Sequence, residues 1–287
     1  MLIRNVSDTA RWVAMYRALE SERPDAIFKD PYARRLAGER GAEILRTTPR
    51  AKSMAWAMVV RTAVLDEIVM RTVERDHADV VLNLAAGLDT RPYRLPLPAS
   101  LRWIEVDLPE ILAYKAEIMA GERPRCVLET VAVDLADESA RRALFQRVGA
   151  EGQRILVITE GLLVYLSAAQ VTGLATDLLA TPTVRWWTFD LASVGVLRML
   201  RRSAQKNLGG GATFQFAPPE GTKFFERLGW RVAEFRRSVP EAHRLHREMP
   251  MAWLMRRLDR IDARKPQEKS QWRTGTVVLE PSDQRNG

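Results

Sequence analysis

The sequence predicts an α/β protein: a mainly parallel sheet with helices on both faces. Two observations carry that reading. Five short apolar runs follow residue 80: VVLNLAAG (80–87), RWIEVD (102–107), VLETVAVD (127–134), RILVITEG (154–161) and VRWWTFD (184–190). Stretches of helix length separate them, as crossovers between parallel strands require. Short runs of this kind, spaced by helix-length connections, indicate a parallel sheet covered on both faces.

Taken in order, the segment to about residue 75 reads as helices. Ser7, Asp8 and Thr9 precede Trp12, Val13, Tyr16 and Leu19. Asp30-Pro31 then offers an N-cap and a first-turn proline, with Gly38 as the stop. Thr48-Pro49 opens another helix, in which Met54, Met58, Leu65 and Thr72 form one stripe that also contains Arg61. Among the crossovers, Ser167 and Gln170 make a capping box at the head of AAQVTGLATDLLA. After Asp190, Gly209, Gly210 and Gly211 followed by Pro218 and Pro219 mark a loop or lid. FFERLGW then predicts a short helix, WRVAEFR a strand, residues 241–262 a helix and GTVVLE a last strand.

No repeat or long linker divides the chain, so residues 1–287 are expected to form one domain. Its parts are a helical cap (1–75), a cofactor-binding core (76–195), a lid with helical insertions around a strand (196–265), and a last strand with a tail (266–287).

Composition excludes several classes of protein. With 46% hydrophobic and 28% charged residues, the chain is neither disordered nor low-complexity. Its one cysteine, Cys126, makes no internal disulfide and no cysteine-rich zinc site, which points to a reducing compartment, the cytoplasm. No apolar run approaches the roughly 18 residues of a membrane span, and the N-terminus lacks the apolar segment of a signal peptide. The net charge of +8 brings nucleic acid into consideration. The arginines, however, come as scattered pairs (Arg34-Arg35, Arg141-Arg142, Arg201-Arg202, Arg236-Arg237, Arg256-Arg257), which read as solvated surface rather than a binding stripe.

The chemistry collects at the carboxyl ends of the runs, where open α/β sheets bind ligands. Asp107 and Asp134 end the second and third runs, Glu160 lies near the end of the fourth, and the first ends in the turn Ala85-Ala86-Gly87-Leu88-Asp89. Each acid on its own is as well explained as a helix cap or a hydrated surface group. Arg61 changes the balance, because a guanidinium on a core-facing stripe needs a partner: a local carboxylate or the carboxylate of a ligand. S-adenosylmethionine fits the set. Its carboxylate would meet Arg61, its ammonium Glu160, its ribose hydroxyls Asp107 and its adenine amino group Asp134, with Gly87 letting the backbone come close. NAD fits less well, since no G-x-G-x-x-G is present.

Those residues lie in recognisable motifs. NLAAGLDTRPYRL (83–95), WIEVDLPEIL (103–112), AVDL (132–135) and ITEGLLVYL (158–166), with RTAVLDE (61–67) and DPYARRLAG (30–38) upstream and FAPPEGTKFFERLGW (216–230) downstream, resemble the leucine carboxyl methyltransferase superfamily. The bacterial branch of S-adenosylmethionine-dependent, polyketide-type O-methyltransferases is the most similar. The resemblance implies a class I methyltransferase, Rossmann-like seven-stranded sheet whose final strand is antiparallel. It implies that Arg61, Gly87, Asp107, Asp134, Leu135 and Glu160 line a cofactor site. The family usually has glycine where this chain has Ala85, which is retained as a contact.

For the acceptor side the candidates are Tyr16, Arg17, Tyr165, His243 and His246. An ionised carboxylate acceptor needs only to be held, whereas a phenol or alcohol also calls for a base. His243, His246 and Glu248 lack a firm third metal ligand, so no metal is expected. The expected partner is a small-molecule acceptor of secondary metabolism, with no membrane. The alternatives are a methyltransferase acting on RNA or protein, and a cofactor-binding homologue without catalysis.

Overall fold

The computed structural model describes residues 6–48, 51–207, 214–249, 252–264 and 273–282. Three helices lead: α1 (Val6–Ser21), α2 (Ala33–Thr47) and α3 (Ala51–Glu74). An alternating core follows, of β1 (Val80–Leu84), α4 (Arg91–Arg94), β2 (Arg102–Asp107), α5 (Pro109–Ile118), β3 (Val127–Ala132), α6 (Glu138–Glu151), β4 (Ile155–Thr159), a 3-10 turn (Leu163–Tyr165), α7 (Ala168–Leu179) and β5 (Val184–Leu191). Then come α8 (Val194–Asn207), α9 (Lys223–Glu226), β6 (Trp230–Arg237), α10 (Ser238–Arg244), α11 (Ala252–Ala263) and β7 (Gly275–Pro281). The expected Gly209–Gly211 loop lies outside the described residues.

All five apolar runs form parallel strands, and the seven-stranded sheet has the order β3-β2-β1-β4-β5-β7-β6, with β7 antiparallel to both β5 and β6. β1 and β4 are buried at every position, which explains why they are apolar but for Asn83 and Thr159. The order reverses between β1 and β4, and at such a switch point the two crossovers diverge and leave a crevice.

Strand alternation divides the core in two. Leu82, Leu84, Ile104, Val106, Ile155 and Val157 point towards α6 and α7, where they meet Phe145, Leu174, Leu178 and the ring cluster Trp187, Phe189, Phe225 and Trp230. Val81, Trp103, Leu156 and Ile158 point the other way, against Val60, Val64, Ile68 and Val73 of α3. The capping box at Ser167 and Gln170 forms as the sequence predicts.

The N-terminal cap closes the carboxyl edge of the sheet. Ala14, Met15 and Ala18 of α1 pack with Leu36 and Ala37 of α2 over Leu88 and Met119. Arg247 ties the C-terminal insertion to this cap through a buried ion pair with Glu20 at 2.8 Å.

Two expectations are corrected. The helix predicted to start at Asp30 begins at Ala33 and does not end at Gly38. That residue, at φ 57 and ψ −172, makes a kink, and the helix resumes to Thr47. The carboxylate of Asp30 takes the Tyr32 N–H and an ion pair with Arg17 instead of capping a longer helix. The single helix read over 241–262 is two, α10 and α11; Pro250, which lies between them in the sequence, is the signal that reading passed over.

Candidate active site

The alternation that builds the α3-facing core also assembles the site. One step further along the same strands, beyond Val81, Trp103 and Ile158, the positions that face α3 are Asn83, Glu105 with Asp107, and Glu160; Asp190 continues the row from Trp186 on β5. Opposite them stands Arg61 of α3. An apolar base thus turns into a row of polar and charged groups at the carboxyl edge.

Asp107 accepts the Gly87 N–H at 2.7 Å through Oδ2 and the Leu108 N–H at 2.7 Å through Oδ1. Gly87 has φ +54 and lies beneath α1, where an added Cβ would sit 3.7 Å from Ala10. Burial pushes the Asp107 carboxyl up, more than its two backbone donors pull it down. Glu160 takes Arg91 Nη1 on Oε2 at 2.8 Å. Its Oε1 lies 3.0 Å from Arg61 Nε, an ion pair too far off line to be a hydrogen bond, so the buried Arg61 Nε–H has no hydrogen-bond partner. Arg61 Nη1 reaches Asp190 at 3.4 Å, and Asp190 also accepts the Gly161 N–H at 2.5 Å. A buried guanidinium with a misaligned donor beside paired acids is fitted to an additional oxygen ligand.

Behind this row lies a buried charge network. Arg91 donates to Asp66 Oδ1 (2.7 Å), Asp89 Oδ2 (2.8 Å) and Glu160. Arg94 grips both oxygens of Asp66 at 2.7 Å, and Lys115 grips both oxygens of Glu105 at 2.6 Å. Burial alone would raise the carboxyl pKa values. Arg91 and Arg61 outweigh it at Glu160 and hold that group below the usual range, while Arg91 and Lys115 bring Asp89 down to about 2. At Glu105 burial wins over Lys115, and the group is pushed up to about 7.

The sequence candidates distribute unevenly. Arg61, Gly87, Asp107 and Glu160 come together at the switch point. Ala85 lies in the same turn with φ 54, a left-handed backbone that explains why glycine is usual there. Asp134 is exposed beyond the end of β3 and accepts the Ala136 N–H at 2.9 Å; Leu135 packs against the α6–α7 core. Tyr165 faces Arg61 and Asp190 and bonds Thr9 on α1; burial pushes its phenol up. Tyr16 is buried with its ring against Trp12, and Arg17 is engaged with Asp30 and the Leu88 carbonyl. His243 pairs with Glu248 and Arg256 on the α10–α11 side, and His246 lies past the end of α10 with φ 53, so the two do not share a helix face. Among the described residues no cluster of His, Cys, Asp and Glu is placed to hold a metal, and no helix is long and apolar enough to cross a membrane.

Sequence reasoning missed Arg91, Asp89, Asp66 and Asp190. Asp190 carried a signal, as the fourth acid to end an apolar run. Arg91 bonds Asp66 and Glu160 across 25 and 69 residues, and no local spacing announces such contacts, whereas Asp89 lies two residues from Arg91. Most of the paired arginines, read from the sequence as solvated surface, are engaged by carboxylates: Arg34 by Glu22, Arg35 by Glu122, Arg141 and Arg142 by Asp177, Arg236 by Glu241, and Arg237 by Asp259.

The sheet order, its antiparallel β7 and the acid-lined switch point define a class I methyltransferase fold. The solved structures it resembles include a DUF574 family protein from Streptomyces avermitilis (TM-score 0.59, 12% identity, 95% of this chain and 97% of that one). Another is a provisionally assigned methyltransferase from Thermobifida fusca (TM-score 0.56, 14% identity, 95% and 94%). The chain belongs to the leucine carboxyl methyltransferase family, whose model matches residues 10–178. A Frankia alni protein, provisionally named an S-adenosyl-L-methionine-dependent methyltransferase, is 33% identical over 240 residues, 79% of this chain and 83% of that protein. A Parafrankia protein of the same description is 38% identical over 182 residues; the match spans 60% of this chain and 58% of that relative's length.

Proposed function

We propose that this protein transfers a methyl group from S-adenosylmethionine to an oxygen of a small molecule, with a carboxylate as the preferred acceptor. The observation that carries the reading is the common face formed by Asp107, Glu160 and Asp190 opposite Arg61, whose buried Nε–H lacks a hydrogen-bond partner. Family membership and the named relatives support it.

In this reading Arg61 holds the cofactor's carboxylate, Glu160 its ammonium and Asp107 its ribose hydroxyls. Ala85 and Gly87 supply the close backbone, and Asp134 with Leu135 flanks the adenine end. The bound cofactor would supply an activated methyl group on a sulfonium. The protein's part is to fix both reactants in line and keep water out, so most of the rate comes from positioning. A carboxylate acceptor arrives ionised and needs no base.

Tyr165 and Tyr16 are the acceptor-side candidates that remain on the cap-facing wall. Trp12, one helical turn after Thr9, packs its ring against Tyr16 at 5.6 Å between centroids. The single buried Cys126 and the small-molecule acceptor agree with work in the cytoplasm, in secondary metabolism.

The test is methyl transfer from labelled S-adenosylmethionine across matched aryl carboxylates, phenols and alcohols. Labelled methyl esters from the carboxylates are expected. Labelled ethers alone would overturn the acceptor class, and tight cofactor binding without transfer to any acceptor would leave a binding protein.

A further inference from the structure

We propose that Arg91 is the positioning residue that holds the Glu160 carboxylate in the orientation with which it meets a cationic ligand group; this rests on the cofactor reading above. Arg91 is itself held from two sides, by Asp89 and by Asp66. The Asp89 carboxylate accepts the Arg91 backbone N–H at 2.9 Å and its Nη1 at 2.8 Å, so one acid pins both main chain and side chain. Asn83 on β1 steadies Asp89 by donating from Nδ2 at 2.9 Å. Asp66 on α3 takes Nε at 2.7 Å.

Nη1, already engaged with Asp89, also reaches Glu160. Nη1 donates to Glu160 Oε2 at 2.8 Å, while Oε1 faces Arg61 without an aligned hydrogen bond. Arg91 therefore occupies one oxygen of Glu160 and leaves the other for a ligand. The exposures agree: the Arg91 side chain is 2% exposed and that of Glu160 17%, so Arg91 acts through the glutamate rather than on a ligand. Lysine cannot replace it, because a point charge does not span three carboxylates as a planar fork does.

A pH signature separates this role from a structural one. Glu160 is faced by Arg91 from α4, Arg61 from α3 and Asp89 from the β1–α4 loop. Asp66, Asp190 and Tyr165 lie behind these groups. Burial and Asp89 favour the protonated acid, and the two arginines overcome them. Without Arg91 the balance shifts towards the protonated acid, so Glu160 takes up a proton more readily than in the wild type.

The experiment is calorimetric titration of S-adenosylmethionine into the wild type, Arg91→Lys, Arg91→Met, Glu160→Gln and the double variant R91K/E160Q, at about pH 8 and about pH 6. Wild type sets the reference ratio between the two values, since Glu105 and the ligand's amino group titrate near this window in every variant. Arg91→Lys is expected to bind roughly tenfold more weakly than wild type at the higher pH, the scale of one charge-assisted hydrogen bond, and to lose more than that against wild type at the lower. Glu160→Gln should weaken binding by the same factor at both values, and adding Arg91→Lys to it should change little. Wild-type affinity in Arg91→Lys, or a pH-independent loss that multiplies with Glu160→Gln, overturns the proposal. Wild-type affinity in Glu160→Gln overturns the cofactor reading itself. Should neither Arg91 variant fold, Asp66→Asn, which loosens Arg91 at Nε and Arg94 with it but leaves Nη1 beside Glu160, is expected to show a smaller loss with the same pH direction, and wild-type affinity at both pH values overturns the proposal.

Discussion

On the α6–α7 side of the sheet, Leu82, Leu84, Ile104 and Val106 pack against Phe145, Leu174 and a cluster of aromatic rings, and the buried strand positions there carry no charge. On the α3 side the same strands begin with Val81 and Trp103 but end with Asn83, Glu105 and Asp107 beside Lys115 and Arg91. One residue of offset along a strand separates the two environments. The first face holds the sheet together, and the second spends part of its burial on charges that persist only because they are mutually paired.

The comparison is broken most forcefully by removing one member of a pair. Lys115→Met leaves Glu105 buried and uncompensated and is expected to cost about 3–5 kcal/mol in urea unfolding. Adding Glu105→Gln should restore much of it. Trp187→Ala on the apolar face is expected to cost a similar ~3–5 kcal/mol through the cavity it leaves, and no second substitution on the charged face should recover that. If Lys115→Met unfolds no more easily than wild type, the charges are not interdependent.

A pH series sharpens the same contrast. Glu105 stands at about 7 in the folded protein against 4.5 ordinarily, so the folded state takes up its proton more readily than the unfolded chain. Its contribution is fully present below about pH 4.5 and is lost as the pH rises to about 7. Unfolding free energy should therefore show a falling component across that window which is missing in Glu105→Gln. A component that rises there in wild type relative to Glu105→Gln would reverse the assigned direction.

The smallest expected effect lies in the turn between the two faces. Ala85 adopts φ 54, a region costing an L-residue about 1–2 kcal/mol, so Ala85→Gly is expected to stabilise the protein by up to about 1 kcal/mol in thermal melts. A destabilised Ala85→Gly would mean that the Ala85 methyl contributes packing which outweighs the strain.

What the sequence discloses follows the same division. The five parallel strands, the capping box at Ser167 and the gathering of Arg61, Asp107 and Glu160 are legible because period, helix signals and strand ends are local properties. Arg91 stands in plain view within TRPYR, yet its partners Asp66 and Glu160 come from α3 and the end of β4, and only the folded sheet brings them together. His243 and His246 looked paired by spacing, but the left-handed turn at His246 removes them from one face.

The central claim is that the charged face is a cofactor site rather than a self-contained ion-pair cluster. Calorimetric titration of S-adenosylmethionine and S-adenosylhomocysteine into the wild type, Arg61→Ala and Asp107→Ala tests it directly. One molecule of either ligand is expected to bind per wild-type chain, with affinity reduced by roughly 100-fold in each variant, the scale of losing a charged hydrogen bond in a buried site. Undiminished affinity in both variants, with their folds intact, would contradict it.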